Sequence, residues 1–216
     1  MEKQIVLPRL RVERAPTALF ALENIAAWDQ VKRLEPLWLA DGSAPATQPT
    51  RVCICFDETA LYVRFDCEDR DIWGTYTQRD EPLYEEEVVE VFFAAGTDDP
   101  KNYFEFEVSP NGVLFDTTVS NPTSTRADLR WDETWNCPGV RWLAARNDAA
   151  ETWWAALAIP WIGVAPNEQV PSVARANFCR IERPRNSEPE FSCWSPTMTN
   201  PADFHKPMYF GILEFE

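Results

Sequence analysis

Short stretches in which apolar and polar residues alternate recur along most of this chain, and turn sequences separate them. The clearest is YFEFEV at 103–108, where Glu105 and Glu107 alternate with aromatic residues. An Asn-Gly pair at 111–112 follows it and predicts a tight hairpin turn into the next stretch. Because period-two alternation is typical of half-buried strands, this pattern excludes a mainly helical fold.

The same pattern defines the expected architecture. The stretches lie at 51–56, 61–67, 88–94, 103–108, 113–119, 140–146, 152–159, 177–182 and 208–215. Strands that recur with turns between them predict an all-β fold, an antiparallel two-sheet β-sandwich of the jelly-roll or immunoglobulin-like type. Short helices are expected only in the N-terminal segment, as at 26–34, and in loops. A length of 216 residues predicts one domain over 1–216.

The charge balance narrows the range of partners. The chain has 35 acidic and 20 basic residues, a net charge of −15. Such a charge repels phosphate groups, so binding to nucleic acid or to an anionic membrane is not expected. A single histidine, His205, leaves little room for histidine-dependent catalysis or for a histidine-rich metal site.

The N-terminal sequence MEKQIVLPRLRVERAP lacks the apolar centre of a signal peptide, which predicts a cytoplasmic protein. The alternative is a secreted protein whose leader has been removed. The six cysteines include no CxxC pair, so buried free thiols are the expected state.

An acidic segment, DCEDRD at 66–71, allows two interpretations. Asp66, Asp69 and Asp71 could supply the oxygen ligands that calcium prefers. The segment lacks the glycine and the regular spacing of an EF-hand loop, and a solvated acidic turn is the other interpretation.

Glu90 differs from the other glutamates because it interrupts an apolar strand, VVEVFF. A buried carboxylate needs a partner, so Glu90 indicates either a ligand contact or a structural salt bridge. Glu105 and Glu107 share one face of the next predicted strand, where we expect them to be solvated or paired with arginine. Most of the 10 tryptophans, including Trp131, are expected to pack in the core.

Six segments in order resemble the family 9 carbohydrate-binding modules, and especially their stand-alone relatives in the DOMON-like group of β-sandwiches. They are ALYVRFDCEDRDI, LYEEEVVEVFF, NYFEFEVSPNGVLFD, WWAALAIPW, ARANFCRIE and FSCWSPTMTNPADFHKPMYFGILEF, and they span roughly residues 50 to 215. The resemblance implies a non-catalytic domain that holds a mono- or oligosaccharide between two aromatic side chains.

Transferred residue by residue, the resemblance places the two aromatic side chains at Tyr84 and Phe204. Both are departures from the tryptophans of well-studied modules, and they offer less stacking area. The resemblance assigns hydroxyl contacts to Glu90 and, on the 177–182 strand, to Arg180 and Asn177. It implies no cofactor other than structural calcium.

Two other functions compete with sugar binding. A saccharide-acting enzyme would use Glu87 with Glu90 as acid and base, or His205. A domain of this fold that has lost its ligand would mediate protein contacts, and its aromatic pocket would be occluded.

Overall fold

The computed structural model describes residues 6–16, 19, 21–34 and 36–216. Its strands are β1 (Arg9–Arg14), β2 (Trp38–Leu39), β3 (Thr50–Phe56), β4 (Ala60–Glu68), β5 (Val88–Ala95), β6 (Asn102–Val108), β7 (Leu114–Ser120), β8 (Arg130–Asp132), β9 (Arg141–Asn147), β10 (Thr152–Pro160), β11 (Val173–Glu182), β12 (Glu190–Cys193) and β13 (Gly211–Phe215). The prediction of an all-β fold is confirmed.

Helices are short, as predicted. The described residues form α1 (Ile25–Trp28), α2 (Trp161–Val164) and 3₁₀ turns at Leu83–Glu85, Arg126–Asp128, Asp148–Ala150, Pro166–Glu168 and Pro207–Tyr209. The helix expected over 26–34 ends early, at Trp28, and Arg33 forms a β-bridge with Cys53 instead. No helix in the described part of the chain is long and apolar enough to span a membrane.

The strands form one curled sheet in the order β8-β7-β6-β5-β11-β13-β1-β3-β4-β10-β9, with β12 and β2 added beside β11. Strand β1 joins the two halves, because it pairs in parallel with β13 through residues 9–12 and with β3 through residues 13–14. The two halves are the layers of the predicted β-sandwich, but they are joined through β1 into one mixed sheet and are not purely antiparallel. Leu10 and Val12 of β1 alternate with charged residues, but this local pattern does not show which strands β1 pairs with.

The main core lies between the two halves of the sheet. Val91 and Phe93 of β5 share one buried cluster with Ile54 of β3 and Phe65 of β4. Trp153 and Trp161 are buried in the same cluster, as expected for most tryptophans. A second apolar cluster, which includes Phe92, covers the opposite face of β5, β6 and β7. The functional site develops on this second face.

The β6–β7 hairpin has the turn that the Asn-Gly pair predicts. Gly112 adopts a φ of 77° and donates its N–H to the Ser109 carbonyl at 2.9 Å. Glycine takes this left-handed conformation without steric cost. The turn sets the register in which Glu107 lies opposite Phe115.

Gly211→Ala is expected to destabilise the fold by about 1–3 kcal/mol, because the added methyl group overpacks the core. Its Cβ would lie 2.3 Å from Cζ3 of the Trp194 ring. Gly74→Ala is the matched control, since its Cβ would meet the ends of two side chains, the Asn111 amide at 3.1 Å and Glu86 Oε2 at 3.6 Å. Urea denaturation of both variants measures the difference, and an equal loss in both would contradict the packing account.

Candidate functional site

Three glutamates lie on the face of the sheet that points away from the main core. Glu90 of β5 is the register partner of Glu107 of β6, and Glu107 is the partner of Phe115 of β7. Glu105 lies two residues from Glu107 and therefore on the same face. Strand alternation thus places a row of carboxyl groups at the floor of a pocket.

The walls of this pocket come from separate parts of the chain. Tyr84 belongs to the 3₁₀ turn just before β5, Trp131 lies on the short edge strand β8, and Phe204 and His205 lie on the loop before β13. The cavity has a volume of about 420 Å³. Its lining is Tyr84, Glu90, Glu105, Glu107, Phe115, Arg126, Trp131, Glu133, Ile181, Arg183, Phe191, Ala202, Phe204 and His205.

The aromatic walls differ in how much surface they offer. Tyr84 is 46% exposed and Trp131 is 44% exposed, whereas Phe204 is 6% exposed. Phe204 packs against Phe92 and Phe191 with ring centroids 6.5 Å and 6.0 Å away. Tyr84 and Trp131 are therefore the aromatic side chains most available to a ligand.

Sequence reasoning misses Trp131, because it belongs to a cluster of tryptophans most of which are expected to pack in the core. The signal that could have found it is local composition. Strand β8 reads RWD, and all three residues are exposed. A tryptophan in such a polar edge segment has little core to bury it.

The three carboxyl groups are buried rather than solvated, which corrects the expectation for Glu105 and Glu107. Glu107 is 1% exposed; its carboxyl group lies near the Glu105 carboxyl and the Tyr84 N–H, but neither of its oxygens forms a hydrogen bond of good geometry. Oε2 of Glu105 also forms none. The sequence could not show this burial, because residues far along the chain cover the strand.

Burial determines the protonation of this row. It raises the pKa of Glu105 to about 8 and holds the pKa values of Glu90 and Glu107 well above the usual range, where neighbouring carboxylates raise them further. Desolvation penalises the charged form of a carboxyl group. At neutral pH the floor of the pocket therefore holds carboxylic acids.

His205 is neutral in this pocket. Burial lowers its pKa to about 4. Its Nδ1 lies 2.9 Å from the Tyr103 hydroxyl, and its Nε2 lies 3.9 Å from Oε1 of Glu105. These contacts fix the ring as part of the wall.

The acid–base pair of the enzyme interpretation does not come together. Glu87 belongs to the opposite face of the sheet, where Arg180 lies 3.9 Å from it, and it does not line the pocket with Glu90. Side chains alternate between the two faces of a strand, so residues one or three positions apart point to opposite faces. Glu87 and Glu90 are three positions apart.

Two residues predicted to contact the ligand lie elsewhere. Arg180 points to the face opposite Glu90, because Cys179 is the register partner of Glu90 and alternation turns the next side chain away. Asn177 is fully buried, and its amide group forms hydrogen bonds with the backbone of residues 178 and 195. Neither lines the pocket, so the structure corrects both placements.

The three aspartates predicted as calcium ligands are also separated. Asp66 pairs with Arg64, and Asp71 pairs with Arg185. Asp69 is buried and accepts a hydrogen bond from Trp153 Nε1 at 3.0 Å. Asp66 and Asp71 thus have their own cationic partners, and only Asp69 joins a carboxylate cluster.

That cluster consists of Asp69, Glu87 and Glu182, whose ligand atoms lie within 4.8 Å of one another. Arg180 occupies the position a cation would need. Its Nη2 lies 3.1 Å from Asp69, 3.9 Å from Glu87 and in contact with Glu182. The donor set therefore does not fit calcium while the guanidinium is in place.

A larger cavity, of about 690 Å³, lies on the β4–β10 side of the molecule. Two of its four arginines pair closely with neighbouring acids: Arg64 with Asp66 at 2.7 Å, and Arg33 with Asp29 at 3.3 Å. Arg64 also stacks over the Trp154 ring, 4.2 Å from its centroid. The smaller pocket, with its unpartnered carboxyl oxygens, is the better candidate.

Comparison with known proteins places the whole fold in a family. The model of carbohydrate-binding family 9 matches residues 16–215. An "extracellular protein" of the fungus Arthroderma benhamiae is 25% identical over 185 residues, which cover 81% of this chain and 83% of that protein.

Solved structures show the same fold. A candidate carbohydrate-binding protein of Bacteroides uniformis superposes with a TM-score of 0.77 at 19% identity, covering 96% of this chain and 99% of that one. A family 9 module of Caldicellulosiruptor kristjanssonii, solved with cellotriose, gives a TM-score of 0.64 at 15% identity and covers 97% of this chain and 94% of its own.

Proposed function

This chain belongs to carbohydrate-binding family 9, and from that premise we propose that it is a non-catalytic domain that binds a mono- or oligosaccharide in the pocket above β5 and β6. Tyr84 and Trp131 offer exposed rings to the apolar face of a sugar, with Phe204 behind them. Glu90, Glu105 and Glu107 offer polar contacts from the floor.

One observation supports this proposal above the others: buried carboxyl oxygens without partners lie under exposed aromatic rings. An unpaired buried polar group costs about 1–3 kcal/mol, so a fold that retains several of them calls for a ligand that satisfies them. Sugar hydroxyls donate hydrogen bonds to such oxygens, and their CH groups pack on aromatic faces. A volume of about 420 Å³ is in the range of small-molecule sites.

The absence of catalysis is part of the proposal. A glycosidase of the usual type needs one ionised carboxylate beside one carboxylic acid. Burial favours the protonated form of all three floor carboxyls, and His205 is neutral and held by Tyr103. The open aromatic rim also favours ligand binding over a role in which the pocket is occluded.

We also propose an extracellular setting, since a relative that matches most of this chain bears the name "extracellular protein". The six cysteines are buried as free thiols in the described structure, so the proposal needs no disulfide. Burial shields these thiols and raises the pKa of Cys53 to about 11.

Tyr84→Ala and Trp131→Ala are each expected to weaken binding of glucose or cellotriose about tenfold, because each removes a ring worth roughly 1.4 kcal/mol. Isothermal titration calorimetry measures the affinities. Trp38→Ala is the matched control, since Trp38 is similarly exposed at 41% but lies on β2, outside the pocket.

Two outcomes would count against the proposal. One is the absence of binding heat for the wild-type protein with every mono- and oligosaccharide tried. The other is an equal loss of affinity in Trp38→Ala and in the two pocket variants.

A further inference from the structure

The floor of the pocket is unusually acidic for a site that would take a neutral sugar. Glu90 and Glu107 are register partners, and Glu105 lies on the same face of β6. Glu107, at 1% exposure, lines the cavity with both oxygens unpartnered. The floor can thus accept several hydrogen bonds and, on ionisation, hold several negative charges.

We propose that this pocket selects a sugar that bears a protonated amine, of the glucosamine type, over its neutral analogues. The inference rests on the proposed sugar-binding function and narrows its ligand class. An ammonium group brings three hydrogen-bond donors and one positive charge to the carboxyl oxygens, whereas a hydroxyl brings one donor and no charge.

The charged groups around the floor do not cancel the preference for a sugar that bears a positive charge. The titratable and charged side chains of the lining are Tyr84, Glu90, Glu105, Glu107, Arg126, Glu133, Arg183 and His205, with Cys179, Cys193 and Asp203 next to them. Arg126 lies 3.4 Å from Asp203, and Arg183 donates to the Tyr84 carbonyl at 3.3 Å, although its Nε has no hydrogen-bond partner. Burial raises the pKa of Glu90 and of Glu105 by more than the positive charge of Arg126 lowers it. His205 is neutral, so it does not compensate the floor carboxylates.

The geometry favours an ammonium group over a metal ion. In the described residues, the group of three carboxylates whose ligand atoms all lie within 4.8 Å of one another is Asp69, Glu87 and Glu182. Those of the pocket floor do not converge in this way. Oxygens spread along two strands suit a ligand whose donors are spread over a ring, and the aromatic walls supply the faces on which such a ring packs.

The protonation state of the floor gives the proposal a specific signature. Burial holds protons on these carboxyls at neutral pH, and an ammonium group favours their ionised form. Binding of the amino sugar should therefore release protons, while binding of glucose should release none. Calorimetric titration at pH 7 in two buffers of different ionisation enthalpy measures this release directly.

The experiment compares glucosamine, N-acetylglucosamine and glucose with the wild-type protein. We expect glucosamine to bind at least tenfold more tightly than either neutral sugar, with proton release. N-acetylglucosamine is the decisive comparison, because it keeps the nitrogen but loses its charge. Equal affinities for the three sugars would overturn the inference while leaving the proposed function in place, whereas no binding of any sugar would overturn the proposed function itself.

Glu107→Gln tests whether the Glu107 carboxyl is the group that interacts with the ammonium charge. It keeps the size of the side chain and removes the ionisable oxygen, so the ratio of glucosamine to glucose affinity should fall at least fivefold. Glu151→Gln is the matched control, since Glu151 is exposed and outside the pocket, and its ratio should stay at the wild-type value. A ratio unchanged in Glu107→Gln, or lowered equally in both variants, would contradict the assignment.

Discussion

Arg180→Met is expected to lower the free energy of unfolding by about 3–5 kcal/mol, because it leaves a buried acidic cluster without its cation. Arg180 is 1% exposed, and its guanidinium contacts Asp69, Glu87 and Glu182. It also donates to the Glu68 carbonyl at 2.8 Å and to the Thr50 hydroxyl at 3.2 Å. Urea denaturation at pH 7 measures the loss.

Arg185→Met is the matched control for this prediction. Arg185 also pairs with an aspartate, Asp71, but its side chain is 60% exposed. Exposed ion pairs contribute about 0–1 kcal/mol, so this variant should change stability little. Similar losses in the two variants would show that Arg180 does not act as the internal counter-ion.

The same cluster predicts how the protein responds to a chelator. Because Arg180 stands where a cation would bind, EDTA should leave the thermal unfolding temperature of the wild-type protein unchanged. A lower unfolding temperature in EDTA that calcium restores in the wild-type protein but not in Glu182→Gln would contradict this account, because calcium would then bind at this cluster.

Local sequence pattern was sufficient to predict most strands. It also singled out Glu90, which lies on the face of β5 that forms the site. Glu90 stands in an apolar strand, so its sequence neighbours already show that it is buried. The hairpin at Gly112 is local in the same way. Where the deciding contact lies within a few residues, the sequence predicted the structure.

The remaining features depend on residues that are distant in the chain. Glu105 and Glu107 are buried because Trp131 of β8 and the loop holding Phe204 cover β6. Arg180 faces away from the site because of the register between β5 and β11. Shifting that register by one residue would have exchanged the two faces, so no local pattern could decide between them.

The last prediction follows from the protons held at the pocket floor. A carboxyl group whose pKa is raised by folding binds its proton in the folded state at a pH where the unfolded chain has released it. Stability is therefore present below the unfolded pKa of about 4.5 and is lost as pH rises towards the folded pKa, at about 1.4 kcal/mol per pH unit for each such group.

The pH window can be chosen so that other groups do not interfere. Burial lowers the pKa of His205 to about 4, so its opposing contribution diminishes above the unfolded pKa of about 6.5. Glu105 titrates at about 8 and Glu87 at about 10 in the folded state, and Glu90 and Glu107 also lie well above their usual range. Between pH 6.5 and 8 the free energy of unfolding should therefore fall by at least about 2 kcal/mol.

Glu107→Gln separates the pocket from the rest of the protein in this measurement. The variant lacks one titrating group, so its loss of stability between pH 6.5 and 8 should be smaller by about 1.4 kcal/mol per pH unit. Glu151→Gln, exposed and outside the pocket, should follow the wild-type curve. A wild-type stability that stays constant or rises over this window would mean that the floor carboxyls are already ionised at neutral pH. The proton release expected on glucosamine binding would then have no source.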